Sequence, residues 1–536
     1  AYSLDDNTTG NYNTALGAGS LNALTTSDYN TAVGYNCLLS IVGGGEQNTA
    51  VGALAGDALT TGDANVFMGV GAGGLTEDVD NTTIIGYAAA NADMTTDANG
   101  TVAVGYAALQ ALTSGIGNVA IGYQALDLVD DDSYNTAVGY QALTGQDAGG
   151  SNTAVGYQAG LAIGSGEQNT IVGDRALKSD DDSDGSTAIG FNSLYSQNGG
   201  TGVSGNTALG AESGYYNVTG TNNTYLGWKA GVGASGQSNA GNTGVGSSAL
   251  LAVTTGGNNV AVGYAAGTLL TTGGENTILG SGAMDATHVD SDSNTAIGFG
   301  AMGGTSITAR ALRNTAVGHS AMGSAQHNGT TYNTAIGYSA LGNITTGDNN
   351  TAVGTGVGNS VSSGYENVLI GGNAGNNDIQ IEDGYGNVII GFGADASATN
   401  SVNCIGIGYD CNVTSSNIAM IGNGNITQLH AADDTGATLY AGSATVSTSD
   451  RRIKENFKDL SIGLDFINQL NPVEYNKKQP SDYEDSLKKN LSWYKSGRNP
   501  RVLDDVEKSK SRVGFIAQDV GVILKDLGFD DNNDIV

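Results

Sequence analysis

Four consecutive stretches, NVAIGYQAL (118–126), NTAVGYQAL (135–143), NTAVGYQAG (152–160) and NTIVGDRAL (169–177), begin seventeen residues apart. The same signature runs from NTALGAGSL at Asn13 through NTAIGYSAL at Asn333 to the copies at Asn350, Asn367 and Asn387. With degenerate copies such as those at Asn65, Asn99 and Ser186 it makes 24 units up to Asn417, at spacings of 14 to 20 residues. A fixed period of this kind marks a repeat architecture, with loops of variable length carried on one register. Thr136 to Tyr140 alternate small with aliphatic or aromatic positions over too few residues for a helix, which is strand periodicity. Gly139 then permits a corner. Parallel stacking of such units sets like on like, in ladders of Val/Ile, Ala, Asn and Tyr. The expected fold is mostly β: an elongated parallel β-solenoid or β-roll. At roughly 4.8 Å between strands, 24 units make a rod about 115 Å long.

Val138, Leu143 and Tyr140 are the sizeable apolar side chains expected inside one coil. They are too few to offset ordering seventeen backbones at about 1–2 kcal/mol each. Further burial between chains is therefore expected. Ala and Gly at the repeated positions predict three backbones approaching one axis, a homotrimer. The units resemble the head repeats of trimeric autotransporter adhesins and similar repeats of phage tail fibres, with their N-[ST]-x-[AVI]-x-G theme. That resemblance implies left-handed parallel β-rolls that trimerise, although seventeen residues exceed the usual spacing of those heads.

Charge divides the chain. Residues 1–448 hold five basic side chains against 36 acidic ones, whereas the last 88 hold 15 against 16 and all three prolines, Pro472, Pro480 and Pro500. Three segments follow: a repeat shaft over 1–424, extended connecting strands over 425–448 and a separate domain over 449–536. So acidic a shaft repels nucleic acid and anionic membrane surfaces. No apolar run reaches the roughly 18 residues of a membrane span. Cys37, Cys404 and Cys411 are too few for a disulfide framework and read as small buried residues, with a Cys404–Cys411 pair open in an oxidising setting. The start at Ala1, without an initiator Met or signal peptide, suggests a processed or trimmed product.

Within the shaft, Asp180, Asp182, Asp184 and Gly185 reproduce the first half of a calcium loop, alternating carboxylates that would converge on one hard cation. Phe191 stands where the bidentate Glu belongs, and a solvated turn competes with calcium; no other cofactor is implied. Tyrosines after the repeat glycine (Tyr35, Tyr106, Tyr123, Tyr140, Tyr157, Tyr264, Tyr338) read as a packing ladder before a sugar platform. His288, His319, His327 and His430 have no ligand spacing. The shaft shows no inserted domain that would form a hydrolase groove, so it reads as non-enzymatic.

Residues 447–458, STSDRRIKENFK, break the monotony. After them SIGLDFINQLNPVEYN predicts a helix capped by Ser461 and ended by Pro472. VEYN (473–476) and RVGFIA (512–517) read as strands, and 518–527 as a helix, giving a small α+β unit. The order SDRRIKENF, GLDFINQLNPVEY and VGFIAQDV resembles the C-terminal intramolecular chaperone of phage tail fibres and tailspikes, the endosialidase-type autoprotease family. The resemblance covers 449–536. It implies a domain that trimerises, nucleates folding of the preceding fibre and releases itself with a Ser/Lys dyad. By that resemblance Ser449 is the nucleophile and Lys454 the base, with cleavage at the Ser449–Asp450 bond. Asp450, Arg451 and Arg452 support them: neighbouring cations lower a lysine pKa toward the neutral base, and an arginine steadies an oxyanion. Family members continue into a longer helical C-terminus, so the domain is expected to be truncated at Val536.

The expected function is that of a trimeric phage tail fibre shaft, made in the host cytoplasm and extracellular in the virion. Its expected partners are two further copies, a host cell-surface receptor such as a glycan, and other tail proteins. Its single enzymatic act would be one self-cleavage. The alternative is a bacterial surface adhesin head without self-cleavage, which predicts a membrane anchor beyond Val536.

Overall fold

A computed structural model describes residues 2–427, except 148, 201, 287, 305–308, 324–328, 378–380 and 397, and residues 467–476, 512–514, 522, 523 and 526. The chain divides into two compact units, Ala1–Asn425 and Ile426–Val536. Ser449, Asp450, Arg451, Arg452, Lys454 and the Ser461 cap lie outside the described residues, as do the connecting strands past residue 427.

The first unit is a parallel β-solenoid. Three-residue strands, from Thr14–Leu16 to Ala419–Ile421, form one 24-stranded sheet with 23 turns between first and last. Each strand pairs in parallel with the next repeat in sequence, and the repeat sets the register: Thr136 on Thr153, Ala137 on Ala154, Val138 on Val155. Two extended loops add a short second ladder, Ser183–Asp184 on Gly202–Val203.

Alternation along the strand decides what lies inside. The middle residue is buried in every strand of the large sheet except the first and last, where Ala15 and Met420 are half-buried. Thr136 and Val138 therefore face outward, and Tyr140 beyond them is exposed. The expectation that Val138 and Tyr140 fill the coil is thus corrected: a three-residue strand turns one side chain inward, and that place belongs to Ala137. The coil interior is completed by Ala142, Leu143 and a column that includes Leu112, Val129 and Ile163, all buried. Ala137 and Gly139 are not free for contact between chains either. Ala137 is buried within its own coil, and a Cβ on Gly139 would stand 2.2 Å from the carbonyl oxygen of Gly156.

The corner after each strand uses left-handed backbone at ordinary residues. Gln141 and Leu143 have φ of 53° and 51°, and the same two places recur as Gln124 and Leu126. Left-handed conformation costs an L-residue roughly 1–2 kcal/mol. Hydrogen bonds between coils offset it: Gln141 N–H donates back to Tyr123 O at 2.8 Å, and Leu143 N–H donates forward to Ala159 O at 3.0 Å.

Interior volume is balanced between neighbouring coils. Where the middle residue is large, as at Phe67, Ile171, Tyr225, Ile278 and Leu369, the leucine place of the preceding coil is a glycine: Gly56, Gly160, Gly214, Gly267 and Gly358. A Cβ on Gly160 would meet Ile171 Cδ1 at 2.9 Å, and one on Gly358 would meet Leu369 Cδ1 at 2.6 Å. Close packing leaves no slack for both large groups.

In the second unit Val473–Tyr475 and Arg512–Gly514 pair antiparallel, with Val473 opposite Gly514. Residues 467–469, 522, 523 and 526 are helical. Among the described residues no helix is long and apolar enough to cross a membrane.

Candidate functional site

One outward face of the solenoid carries a regular apolar surface. All 24 strands of the large sheet end in Val, Ile, Leu or Met, and none of these 24 side chains is buried. Leu16, Met68, Leu209 and Leu279 are among the most exposed of them. The parallel register stacks them in one unbroken aliphatic column, flanked by the Thr column two residues earlier. Contiguous apolar surface of this extent marks an interaction face in a folded protein.

Beyond the repeat glycine stands the aromatic column. Tyr87, Tyr106, Tyr123, Tyr140 and Tyr157 stack in series with ring centroids 4.9–5.5 Å apart and planes within 18°. The Arg175 guanidinium covers the far ring of Tyr157 at 5.4 Å. His319 takes the tyrosine's place between Phe299 and Tyr338 and stacks on both. Ring faces are spent on one another, so the column turns edges and hydroxyls outward and extends the apolar face.

Behind the strands runs a buried asparagine ladder. Asn135 N–H donates to Asn118 Oδ1 at 2.9 Å, and Asn152 Nδ2 donates to Gly166 O at 2.8 Å. Each carboxamide so satisfies a backbone donor of the next coil and a backbone carbonyl of the following loop. Buried amides left without such partners are costly.

The acidic loops are inter-coil ties. Asp130 Oδ1 accepts from Thr113 Oγ1 at 2.6 Å, and Asp132 Oδ2 accepts from Gly149 N–H at 2.8 Å. The three carboxylates of the calcium-loop motif have separate partners. Asp180 is fully buried and accepts from Gln197 Nε2 at 3.0 Å. Asp182 Oδ1 accepts from Ser165 Oγ at 2.6 Å, and Asp184 Oδ1 from Glu167 N–H at 2.9 Å. Asp180 follows Leu177 by three residues, as Val129 follows Leu126 and Ile163 follows Gly160. It thus occupies an aliphatic column of the core, a position the seventeen-residue period already marks. Burial pushes its carboxyl above the ordinary carboxylate range, against hydrogen bonds from Ser183 and Gln197. Among the described residues no group of three or more His, Cys, Asp or Glu side chains is arranged to hold a metal ion. Cys37, Cys404 and Cys411 are free and buried.

Residues 449–529 match the family model Peptidase_S74, described as the chaperone of endosialidase. The match begins at Ser449, includes Lys454 and spans both strands of the second unit. No curated protein matches the chain. The chain therefore places an endosialidase-type chaperone domain after a long β-solenoid.

Proposed function

We propose that this chain is the shaft of a homotrimeric phage tail fibre that reaches and attaches to a host cell surface. In this reading its C-terminal domain drives assembly and then releases itself. A chaperone domain of the matched family implies assembly of the tail-fibre or tailspike kind. The observation that carries the reading is the unbroken apolar column of 24 rows, Leu16 to Ile421, in a chain whose residues 449–529 match that domain. A partner for such a face must repeat at the same spacing of about 4.8 Å over the same number of rows, which a second and third copy of this chain do. Burial of the column between copies would supply the apolar contact that the small coil interior lacks.

Release is assigned to Ser449 and Lys454. The Ser449 hydroxyl adds to a peptide carbonyl as Lys454, held neutral beside Arg451 and Arg452, takes its proton. The tetrahedral oxyanion is steadied by a guanidinium, the proton passes to the leaving amine as the Ser449–Asp450 bond breaks, and water then hydrolyses the ester formed on the serine, restoring its hydroxyl and leaving a new carboxyl terminus. Other tail proteins and a host receptor are the remaining partners.

Intact-mass spectrometry of the full-length gene product tests the release step. Wild type should yield a fragment boundary beside Ser449, and Ser449→Ala and Lys454→Ala should each stay whole. A wild-type chain that stays whole would remove the dyad; a monomeric shaft in sedimentation would remove the fibre.

A further inference from the structure

A regular solenoid has flat sides, and a change in loop length makes a step. The repeat from Asn294 to Asn314 takes 20 residues, whereas that from Asn259 to Asn276 takes 17. Backbone bridges tie Leu312 to Asp292 and to Thr331, and Arg310 and Leu312 stand as a wall. Below the wall lies a groove of about 720 Å³ that crosses four successive coils. Its length is about 14 Å at the strand spacing.

The lining is polar and planar. It offers the Glu275 carboxylate, the Asn258 carboxamide, the Thr272 hydroxyl and the Arg313 guanidinium, each on an exposed residue. Arg310 and Arg313 are two of only five basic residues in the first 448. Arg310 is engaged by Asp290 and Asp292 and builds the wall. Arg313 is held in place, its Nη1 donating to the Tyr332 hydroxyl at 2.7 Å and its guanidinium lying 5.5 Å from the Tyr332 ring centre. Glu275 Oε2 accepts from Ser293 Oγ at 3.1 Å, which orients the carboxylate.

We infer that this groove is a binding site for a short neutral saccharide, an inference that rests on the attachment reading above. Carboxylate, carboxamide and guanidinium groups present donors and acceptors in fixed pairs, which match vicinal hydroxyls. Among the lining residues Glu275 and Asp292 balance Arg310 and Arg313, so the groove has no net charge to draw an anion, and the acidic shaft around it repels one. Fixed side chains at the mouth, Arg313 on Tyr332 and Glu275 on Ser293, reduce the ordering cost of binding.

The test uses the full chain on an array of immobilised neutral and acidic oligosaccharides. Beside it run Glu275→Ala/Arg313→Ala and Thr272→Trp, the second filling the groove without touching either charge. The expected result is retention on neutral glycans that falls at least tenfold in both variants while circular dichroism and particle mass stay those of wild type. Retention on acidic glycans alone, equal retention by the variants, or no retention at all would each overturn the site. Any of these, with self-cleavage and trimer mass intact, would leave the fibre reading standing. An uncleaved, monomeric wild type would instead remove that reading.

Discussion

The backbone N–H of Asn169 donates to Oδ1 of Asn152, seventeen residues earlier, at 2.9 Å with both side chains buried. The same Asn152 gives its Nδ2 to Gly166 O. Asn152→Ala would strand both a donor and an acceptor in the interior. The expected loss is about 2–4 kcal/mol, concentrated in the coils from 135 to 186 because each coil contacts mainly its neighbours. Hydrogen exchange should show new local opening there, and protection unchanged from wild type would disprove the ladder's role.

Gly160 and Ile171 share one space. Gly160→Leu alone should destabilise by about 1–3 kcal/mol through overpacking. Combined with Ile171→Ala it recreates the Leu143–Ala154 pairing of the preceding coils, so the double variant should recover most of the loss. A denaturant-derived double-mutant cycle that showed simple additivity would refute this size balance.

Val155 and Val172 sit outward, 38% and 36% exposed in the single chain. Val155→Asp with Val172→Asp should leave coil hydrogen bonding intact while opposing association, because two charges would be buried at the interface. Sedimentation should show lighter particles with a wild-type circular dichroism spectrum. Trimers undiminished in stability would move the interface elsewhere.

Gln146 is fully buried, and neither its Nε2 nor its Oε1 has a hydrogen-bond partner among the described residues. It occupies the column of Val129 and Ile163. Gln146→Leu should therefore stabilise the shaft by about 1–3 kcal/mol, since it removes two unmet polar groups at similar volume. A lower melting temperature would show that Gln146 makes a bond the coil needs.

Asp180 gives a pH signature. Burial raises its folded-state pKa, so the folded coil holds the proton more tightly than the unfolded chain does. Its contribution is therefore most favourable below the ordinary carboxylate pKa, and is lost as pH rises through the folded value. Asp180→Asn should melt higher than wild type at neutral pH, with the gap closing toward about pH 3. A gap that widens on acidification would contradict the assignment.

Much of the fold was legible because the repeat is long and regular. The 24 recurrences of the unit, most of them Asn, then Thr or Val, two small or apolar residues and Gly, marked the 24 strands of the large sheet and a register that sets like on like, as Thr136 on Thr153 and Ala137 on Ala154. The aromatic column was legible for the same reason. Parity was not: Val138 and Tyr140 are the larger apolar groups and so read as core, yet a three-residue strand turns one side chain inward and alternation gives that place to Ala137. The left-handed Gln141 and Leu143 carry no local mark, since glutamine and leucine do not favour that conformation outside this ladder.

Period, strand count, register and the change of character at Ser449 all follow from which residues recur and where charge and proline appear. Which side of each strand is interior, and that the step at Arg310 opens a groove over four coils, were settled by packing alone. Those outcomes depend on the cross-section left once the coils stack and on loops of unequal length lying over one another, quantities that exist only between repeats.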